Sequence, residues 1–371
     1  MATAEKTPAA PVVGAAGRKR EDWAAIPDRD LFMSPPPRLD ESEAEALLAM
    51  HYGLSAEISP LHSERDANFL VVADDAKYIL KISNDAEPGA RTVFNSAVLA
   101  HLATHAPDLP VPKLVPTVDG EHQTSVRCGG SSHNIARLLT YLDGVPLSAV
   151  AEERHPLSGI GARLGRLDKA LEGFQHPDME FSLVWDSARV DRLADLIRCI
   201  PTPSQRLLIE RQFDRFATVL KPKLAGLRRQ VIHNDANLNN VLVSPRNPDV
   251  ICGLFDFGDS VVAPAVNELA VACSYHIRGR RDPSAVLTAL ASGYHRCFPL
   301  REEDIEVLPG LVIARFMTTI LVTHWRATLF PENRAYILRN NPAAWSGLRL
   351  LSECDAGHLA DRVRSACGMV A

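Results

Sequence analysis

Polar side chains flank two short hydrophobic runs in the segment VIHNDANLNNVLVSPRNPDVICGLFDFGDS, which extends from Val231 to Ser260. The runs VLV and VICGLF are too short for helices, and the residues SPRNPD between them favour a turn, so the segment predicts a hairpin of two strands. In an antiparallel hairpin Asn240, which enters the first strand, meets Asp256, which leaves the second. Because carboxylate and amide oxygens are ligands that Mg²⁺ accepts, the open end of this hairpin is a candidate metal site.

Two further polar residues precede the hairpin. Asp235 lies on a predicted loop before Asn240, where its carboxylate can face a substrate hydroxyl. Phosphoryl transfer uses one acid that orients the acceptor hydroxyl, together with an amide and a second acid that hold a metal on the nucleotide phosphates. His233 can serve as a base or a metal ligand, but its favoured role is structural, holding the loop by a hydrogen bond.

Composition and charge narrow the class of protein. The chain has 371 residues, which predicts two domains or lobes, and a formal net charge of −5, which argues against nucleic acid or a membrane surface as a partner. Its seven cysteines form no Cys-x-x-Cys pair, which favours a reducing compartment. The apolar stretch from Gly310 is interrupted by Arg315 and predicts a buried helix rather than a membrane span.

The N-terminal residues 1–38 are rich in Ala and Pro and lack the charge and apolar pattern of a signal peptide. We therefore expect a cytoplasmic protein in which residues 1–38 form a disordered tail. Removal of this tail is expected to leave the activity intact.

The rest of the chain changes from strands to helices. A short helix begins near Asp40, and pairs of strand-like runs predict one hairpin that turns at Asp74-Asp75 and another that turns at Gly129-Gly130. Between the hairpins a helical face is formed by apolar residues four apart, namely Phe94, Val98 and Leu102. Beyond residue 146 the spacing is helical apart from the hairpin described above. The sequence therefore predicts an α+β fold.

The polar motifs resemble those of a known kinase family. His233, Asp235 and Asn240 match the His-x-Asp-x-x-x-x-Asn motif of the aminoglycoside phosphotransferase-like kinases, distant relatives of protein kinases. The residues from Asp256 to Gly258 match the Asp-x-Gly motif of the same family. The chain is similar in particular to the hydroxylysine kinase group, through the stretches SERDANF at Ser63, YILKIS at Tyr78, RLLTYLDGVPL at Arg137, GRLDKALEGFQHP at Gly165 and LFPENRAYI at Leu329.

This resemblance, which extends from about Ile58 to about Leu351, implies a two-lobed protein-kinase-like fold. A small N-lobe with an antiparallel sheet is expected over residues 39–140. A hinge is expected over residues 141–146, and a larger, mainly helical C-lobe over residues 147–371.

The resemblance also implies a role for each matched residue. Asp235 is the expected catalytic base or hydroxyl-orienting group, and Asn240 and Asp256 are the expected Mg²⁺ ligands. Lys81 is expected to contact the α- and β-phosphates of the nucleotide. The remaining nucleotide contacts are expected from a glycine-free loop over the phosphates and from the hinge at the purine: Ser63 and Arg65 in the loop, and Leu139, Thr140, Tyr141 and Leu142 in the hinge.

One departure from the kinase pattern concerns the partner of Lys81. Protein kinases pair this lysine with a glutamate on the following helix, but here the best helical position carries Asn95. The nearest upstream acid, Glu87, lies before Pro88-Gly89. An amide can still orient an ammonium group without the charge of a carboxylate, so Asn95 is a candidate cofactor-binding residue and the partner of Lys81 stays open.

Three residues are candidates for contact with the acceptor. Asp259 follows the metal motif closely and either supports the metal ligands from behind or belongs to an ammonium site. Glu268 either meets the substrate or anchors the next helix. Arg315 lies inside an apolar helix, where an unpaired charge is costly. It therefore pairs with a carboxylate of the C-lobe or meets an anionic group of the substrate.

These features predict a small-molecule kinase that uses Mg²⁺ and either ATP or GTP and acts on a hydroxyl of a small amine. Hydroxylysine is the first expected acceptor. An aminoglycoside, an amino alcohol such as ethanolamine or choline, and homoserine are the alternatives. A non-catalytic pseudokinase is the alternative from another class, motivated by the missing helix glutamate and the glycine-free loop.

Overall fold

The first lobe of the computed structural model is built on one antiparallel sheet. The structure describes residues 25–128, 133–277 and 282–369. The helices of this lobe are α1 (Arg29–Met33), α2 (Glu41–Tyr52) and α3 (Gly89–His105), and its strands are β1 (Glu57–Leu61), β2 (Ala67–Ala73), β3 (Ala76–Ile82), β4 (Leu114–Val115), β5 (Thr124–Val126) and β6 (Asn134–Thr140). The strands are ordered β1-β2-β3-β6-β4, and β5 also pairs with β6.

The local signals in the sequence explain most of these elements. Asp40 caps α2 through a capping box with Glu43, which satisfies the first free backbone N–H groups of the helix. The β2–β3 hairpin turns as predicted at Asp74, whose φ is +50°. The predicted turn at Gly129-Gly130 lies outside the described residues. Strand β1 was not predicted, because it is an edge strand with mostly exposed side chains and no apolar alternation.

Helix α3 joins the two lobes. Its predicted apolar face is buried, but it packs into the large core of the second lobe and not into the separate core beneath the sheet. The ring of Phe94 lies 5.5 Å from that of Phe181 in an edge-on contact. The sheet is therefore held against the second lobe through this helix.

The second lobe is mainly helical and contains two small sheets. Its strands are β7 (Val145–Pro146), β8 (Arg229–Ile232), β9 (Val241–Val243), β10 (Ile251–Leu254) and β11 (Val261–Pro264). Its α-helices are α4 (Leu157–Ala170), α5 (Pro203–Arg215), α6 (Lys221–Leu224), α7 (Val266–His276), α8 (Pro283–Cys297), α9 (Glu302–Leu329), α10 (Arg334–Ile337), α11 (Asn341–Glu353) and α12 (Ala356–Ala366). The predicted hairpin is confirmed as the antiparallel pair β9–β10, and β7 pairs with the other edge of β9.

Helix α9 contains the apolar stretch that predicted a buried helix. It has 28 residues and is long and apolar enough to cross a membrane by length and composition, but 83% of its most apolar window is buried within the protein. Arg315 lies in this helix and is 1% exposed. The helix is thus a core element of the second lobe.

The predicted disordered tail is wrong for residues 25–38, whereas residues 1–24 lie outside the described part of the chain. Three apolar side chains of this segment are buried, namely Ile26, Leu31 and Phe32. The carboxylate of Asp28 lies 2.6 Å from the guanidinium of Arg91 on α3 and accepts a hydrogen bond of 2.8 Å from the backbone N–H of Val184. The segment is therefore anchored to both lobes by a buried ion pair that its Pro-rich sequence does not reveal.

We expect the variant Asp28→Ala to lower the free energy of unfolding by about 3–5 kcal/mol, because it leaves the Arg91 guanidinium buried without its carboxylate. The matched control is Asp30→Ala in the adjoining helix α1, where the side chain of Asp30 is 85% exposed. This control should change the stability by less than about 0.5 kcal/mol. Chemical denaturation of both variants measures the difference, and equal stability of the two would contradict the anchoring role.

Candidate active site

A cavity of about 440 Å³ lies between the sheet and the second lobe. All four predicted hinge residues line it, together with apolar side chains from both lobes: Leu61, Ile79, Leu99, Pro112, Leu139, Leu142, Pro146, Leu242 and Phe257, with Thr140 and Tyr141. The apolar walls suit a planar base, and Lys81 and Asp256 add charged groups to the lining.

The backbone N–H groups of the predicted purine contacts differ in whether they have a partner. The N–H of Thr140 donates to the carbonyl of Lys113, and the N–H of Tyr141 donates to the carbonyl of Lys77. No hydrogen bond within the described residues uses the N–H of Leu142. Of the predicted purine contacts, Leu142 is thus the residue best placed to donate a backbone hydrogen bond.

Lys81 is held by two carboxylates from different lobes. Its ammonium lies 3.0 Å from Asp66, which immediately precedes β2, and 3.3 Å from Asp256. Burial acts to lower the pKa of Lys81, but Asp256 and Asp66 outweigh it and raise the pKa, so the ammonium stays charged. The position of Lys81 next to the metal motif agrees with its predicted phosphate role.

The geometry identifies Asp66, and not the candidate Asn95, as the partner of Lys81 in its own lobe. Asn95 is 1% exposed, and neither atom of its amide has a hydrogen-bond partner within the described residues. Asp66 takes its place because the register of β2 and β3 opposes Ala67 to Ile82, which brings Asp66 alongside the end of β3. Asp66, just before β2, thus supplies the carboxylate that protein kinases place on a helix.

Arg137 is a second residue that sequence reasoning missed. It lies opposite Lys81 in the pairing of β3 with β6, lines the cavity and is 4% exposed. Its Nε has no hydrogen-bond partner within the described residues. A buried guanidinium beside Lys81 adds positive charge where nucleotide phosphates are expected.

We expect Asp66→Asn to raise the KM for the nucleotide about tenfold, because Lys81 loses a charged hydrogen-bond partner that fixes its position. The comparison variant Asn95→Ala removes the residue that the kinase pattern suggested. It should change this KM by less than about threefold. Steady-state kinetics at saturating acceptor measures both KM values. A larger increase in KM for Asn95→Ala than for Asp66→Asn would show that Asn95, and not Asp66, positions Lys81.

Asp235 lies at the centre of a hydrogen-bond network on the loop between β8 and β9. Its Oδ2 accepts hydrogen bonds from the side-chain amides of Asn237, at 2.8 Å, and Asn240, at 2.9 Å. Its Oδ1 accepts from the hydroxyl of Tyr275 at 3.2 Å and from the guanidinium of Arg315 at 3.4 Å. The carboxylate is therefore fixed in one orientation by donors on three elements.

The electrostatic surroundings make Asp235 a stronger base than an ordinary carboxylate. Burial and the negative charges of Asp259 and Asp256 raise its pKa to about 7, although Arg315 acts in the opposite direction. A carboxylate with a raised pKa can accept a proton from a hydroxyl more readily. The geometry and the pKa both suit the predicted role in orienting and deprotonating an acceptor.

Two buried residues, His233 and Glu268, hold the loop that carries Asp235. The Nε2 of His233 donates to the carbonyl of Phe255 at 3.0 Å, and its Nδ1 accepts from the N–H of Asp235 at 3.2 Å. This arrangement supports the structural role predicted for His233. Glu268 is fully buried on α7, and its Oε2 accepts a hydrogen bond of 2.9 Å from the N–H of Asn234. Glu268 is therefore an anchor of the loop and does not line either cavity, which corrects its suggested contact with the substrate.

The predicted metal ligands meet at the open end of the β9–β10 hairpin. The N–H of Phe255 donates to the carbonyl of Asn240 at 3.0 Å, which places Asp256 next to the loop between β8 and β9. The side-chain NH₂ of Asn240 donates to Asp235, so its amide oxygen is the atom left to a cation. Lys81 holds the pKa of Asp256 well below its usual range, so this carboxylate is ionised. The pair fits a hard cation that also binds phosphate oxygens.

These two ligands are too few to hold a metal without help from the nucleotide. Within the described residues there is no group of three or more His, Cys, Asp or Glu side chains that could hold a metal ion. A site with one carboxylate and one amide oxygen is typical of Mg²⁺ that enters together with nucleotide phosphates.

The loop expected over the phosphates contacts the second lobe directly. Both terminal nitrogens of Arg65 lie 3.3 Å from one oxygen of Asp259. The hydroxyl of Ser63 accepts a hydrogen bond from the N–H of Asp66 at 3.3 Å and so braces the loop. Arg65 was predicted to contact phosphate and Asp259 to contact an ammonium group. In this structure the two side chains pair with each other.

A second cavity of about 390 Å³ adjoins the first. Asp235, Tyr275 and Arg315 lie in its wall, and it shares five residues with the first cavity: His62, Asn68, Lys81, Phe255 and Asp256. Phe32 also lines it, which argues against the expectation that removal of residues 1–38 leaves the activity intact. Of the two roles considered for Arg315, the structure shows the pairing with a C-lobe carboxylate, and this carboxylate is Asp235.

Comparison with known proteins agrees with this two-lobed structure. The family model described as "Phosphotransferase enzyme family" matches residues 57–304. Hydroxylysine kinase of Mus musculus is 27% identical over 341 residues, which cover 86% of this chain and 90% of that protein. Hydroxylysine kinase of Danio rerio is 26% identical over 327 residues, which cover 85% and 91%.

Solved structures share the fold. Amicoumacin kinase hAmiN, in complex with AMP-PNP, Ca²⁺ and Ami, superimposes on this chain with a TM-score of 0.63 at 16% identity. The matched region covers 86% of this chain and 97% of the amicoumacin kinase chain. The microcompartment-associated aminopropanol kinase has a TM-score of 0.63 at 20% identity and covers 89% and 99%.

The family match and the curated relatives support a kinase that acts on a hydroxyl acceptor. The chain belongs to the phosphotransferase enzyme family, as the family model over residues 57–304 shows. The resemblance inferred from its motifs, including the likeness to hydroxylysine kinases, is confirmed.

Proposed function

We propose that the protein transfers the γ-phosphoryl group of ATP or GTP, with Mg²⁺, to the side-chain hydroxyl of hydroxylysine. One observation carries this proposal. The two cavities meet at Lys81 and Asp256, and Asp235 lies in the wall of the second cavity only. A nucleotide in the first cavity would direct its phosphates at an acceptor in the second.

The choice of hydroxylysine is supported by the relatives and by the chemistry of the second cavity. Four curated hydroxylysine kinases are 25–27% identical to this chain over most of its length. The second cavity is lined by several charged residues of both signs, which suits an acceptor that carries both amine and carboxylate groups: Glu64, Arg65, Asp66, Asp235, Asp259, Arg315, Arg326 and Arg339. The aminoglycoside, amino alcohol and homoserine alternatives remain to be compared in one assay.

In the proposed reaction the residues of the chain mainly position groups and balance charge. Asp235 orients the acceptor hydroxyl and accepts its proton while the hydroxyl oxygen forms a bond to the γ-phosphorus. The bond from this phosphorus to the bridging oxygen breaks, and a nucleoside diphosphate leaves. Lys81 offsets the negative charge of the phosphates. Asn240 and Asp256 would hold Mg²⁺, which supplies further charge neutralisation on the phosphates.

The pseudokinase alternative loses its main support in this structure. It was motivated by the lack of a helix glutamate for Lys81, but Asp66 provides the missing carboxylate at 3.0 Å. The fixed carboxylate of Asp235 and the ionised Asp256 complete a set of groups that a nucleotide-binding protein without activity does not require. We also propose a cytoplasmic location, in keeping with the net charge and the cysteine pattern.

We expect purified protein with Mg²⁺ and ATP or GTP to release nucleoside diphosphate when hydroxylysine is added, and to form phosphohydroxylysine. The same assay with ethanolamine, choline, homoserine and kanamycin compares the alternatives. The variant Asp235→Asn should reduce turnover by at least about a hundredfold, because it loses the proton acceptor.

Turnover with another acceptor and none with hydroxylysine would replace the proposed substrate. Hydroxylysine turnover that survives in Asp235→Asn would disprove the role of Asp235. Nucleotide binding without turnover of any acceptor in the panel would argue against this function.

A further inference from the structure

One long helix lines the second cavity along much of its length. Four residues of α9 face the cavity, and they follow one another at helical spacing: Arg315, Thr319, Thr323 and Arg326. Arg315 contacts Asp235, so it marks the end of the cavity where the hydroxyl is expected. Arg326 comes eleven residues later, which places its backbone about 16 Å further along the helix axis at a rise of 1.5 Å per residue. The cavity therefore has two charged ends joined by two threonines.

The second charged end contains a carboxylate and two guanidinium groups. The guanidinium of Arg326 lies 2.8 Å from one oxygen of Glu64, and that of Arg339 lies 3.6 Å from the other. Tyr336 forms a side-chain hydrogen bond with Glu64. Tyr336 belongs to LFPENRAYI, one of the stretches that carry the likeness to hydroxylysine kinases.

This cluster has one positive charge in excess. Burial acts to raise the pKa of Glu64, but Arg326 and Arg339 outweigh it and lower the pKa, so Glu64 is ionised and balances only one arginine. The Nε–H of Arg326 is buried and has no hydrogen-bond partner within the described residues. A buried donor without an acceptor is costly, and an added carboxylate would satisfy it.

We propose that this cluster, formed by Glu64, Arg326 and Arg339, binds the α-amino-acid head group of the acceptor. The acceptor carboxylate binds the two arginines, and its α-ammonium binds the carboxylate of Glu64. This inference rests on the proposed function, because it places the hydroxyl of the same acceptor at Asp235.

The cluster combines residues from both lobes. Glu64 lies next to Ser63 and Arg65 in the loop expected over the phosphates, whereas both arginines belong to the other lobe. An acceptor head group held between them contacts both lobes at once. An amino alcohol without a carboxylate lacks the group that the arginines bind.

The test compares two acceptors that differ only in the carboxylate, hydroxylysine and 1,5-diaminopentan-2-ol. We expect Arg326→Met to lower kcat/KM for hydroxylysine about tenfold to a hundredfold, mainly through KM, because a charged hydrogen bond is lost. The same variant should change kcat/KM for the diamine by less than about threefold and leave the nucleotide KM unchanged. Methionine keeps an apolar stem against Phe32, whose ring lies 5.1 Å from the guanidinium of Arg326.

Two further variants serve as comparisons. Arg326→Lys keeps the charge and should retain more of the hydroxylysine activity than Arg326→Met. The matched control is Arg349→Met on α11, an exposed arginine outside both cavities, which should behave as wild type with both acceptors. Thermal denaturation of each variant confirms that the fold is kept.

The possible outcomes separate this inference from the proposed function. Equal losses with both acceptors, or a raised nucleotide KM, would overturn the inference and assign Arg326 to a structural or phosphate role. If the wild-type protein acts on homoserine and not on hydroxylysine, the proposed substrate fails, but the inference stands provided that Arg326→Met raises the KM for homoserine. If the wild-type protein acts only on acceptors without a carboxylate, both fail.

Discussion

The active site depends on the pairing of partly buried charges across the cleft. Lys81 of the first lobe contacts Asp256 of the second, and Arg65 of the first contacts Asp259 of the second. A charge removed from water without a partner would be too costly to keep, so each group needs a partner from the opposite lobe or from its own. These ion pairs fix the distance between the lobes and thereby the place where the two cavities meet. Asp235 lies beside this set of charges: burial, together with Asp259 and Asp256, raises its pKa, whereas Lys81 lowers that of Asp256.

The sequence predicted the parts of the site that depend on local spacing. The hairpin that joins Asn240 to Asp256 was predicted, because turn residues between two short apolar runs determine it. The structural role of His233 and the hinge around Leu139 were also expected, and the geometry agrees with both.

The remaining site residues could not be predicted from local patterns. Asp66 pairs with Lys81 only through the register of two strands, and Arg326 meets Glu64 over a sequence separation of 262 residues. Residues 25–38 were interpreted as disordered because their composition is Pro-rich, but a buried ion pair with Arg91 outweighs this local tendency. Long-range pairing is a property of the folded chain and leaves no periodic signal in the sequence.

The placement of the proposed acceptor contacts along one face of α9 has a consequence for how such enzymes diverge. The residues proposed to bind the nucleotide lie on the sheet, the hinge and the β9–β10 hairpin, whereas Thr319, Thr323 and Arg326 lie on a single helix. Exchanges at these helical positions can alter which molecule is phosphorylated without disturbing the donor site. A lineage can therefore acquire new acceptors through a few substitutions on one helix while the machinery for phosphoryl transfer is inherited unchanged.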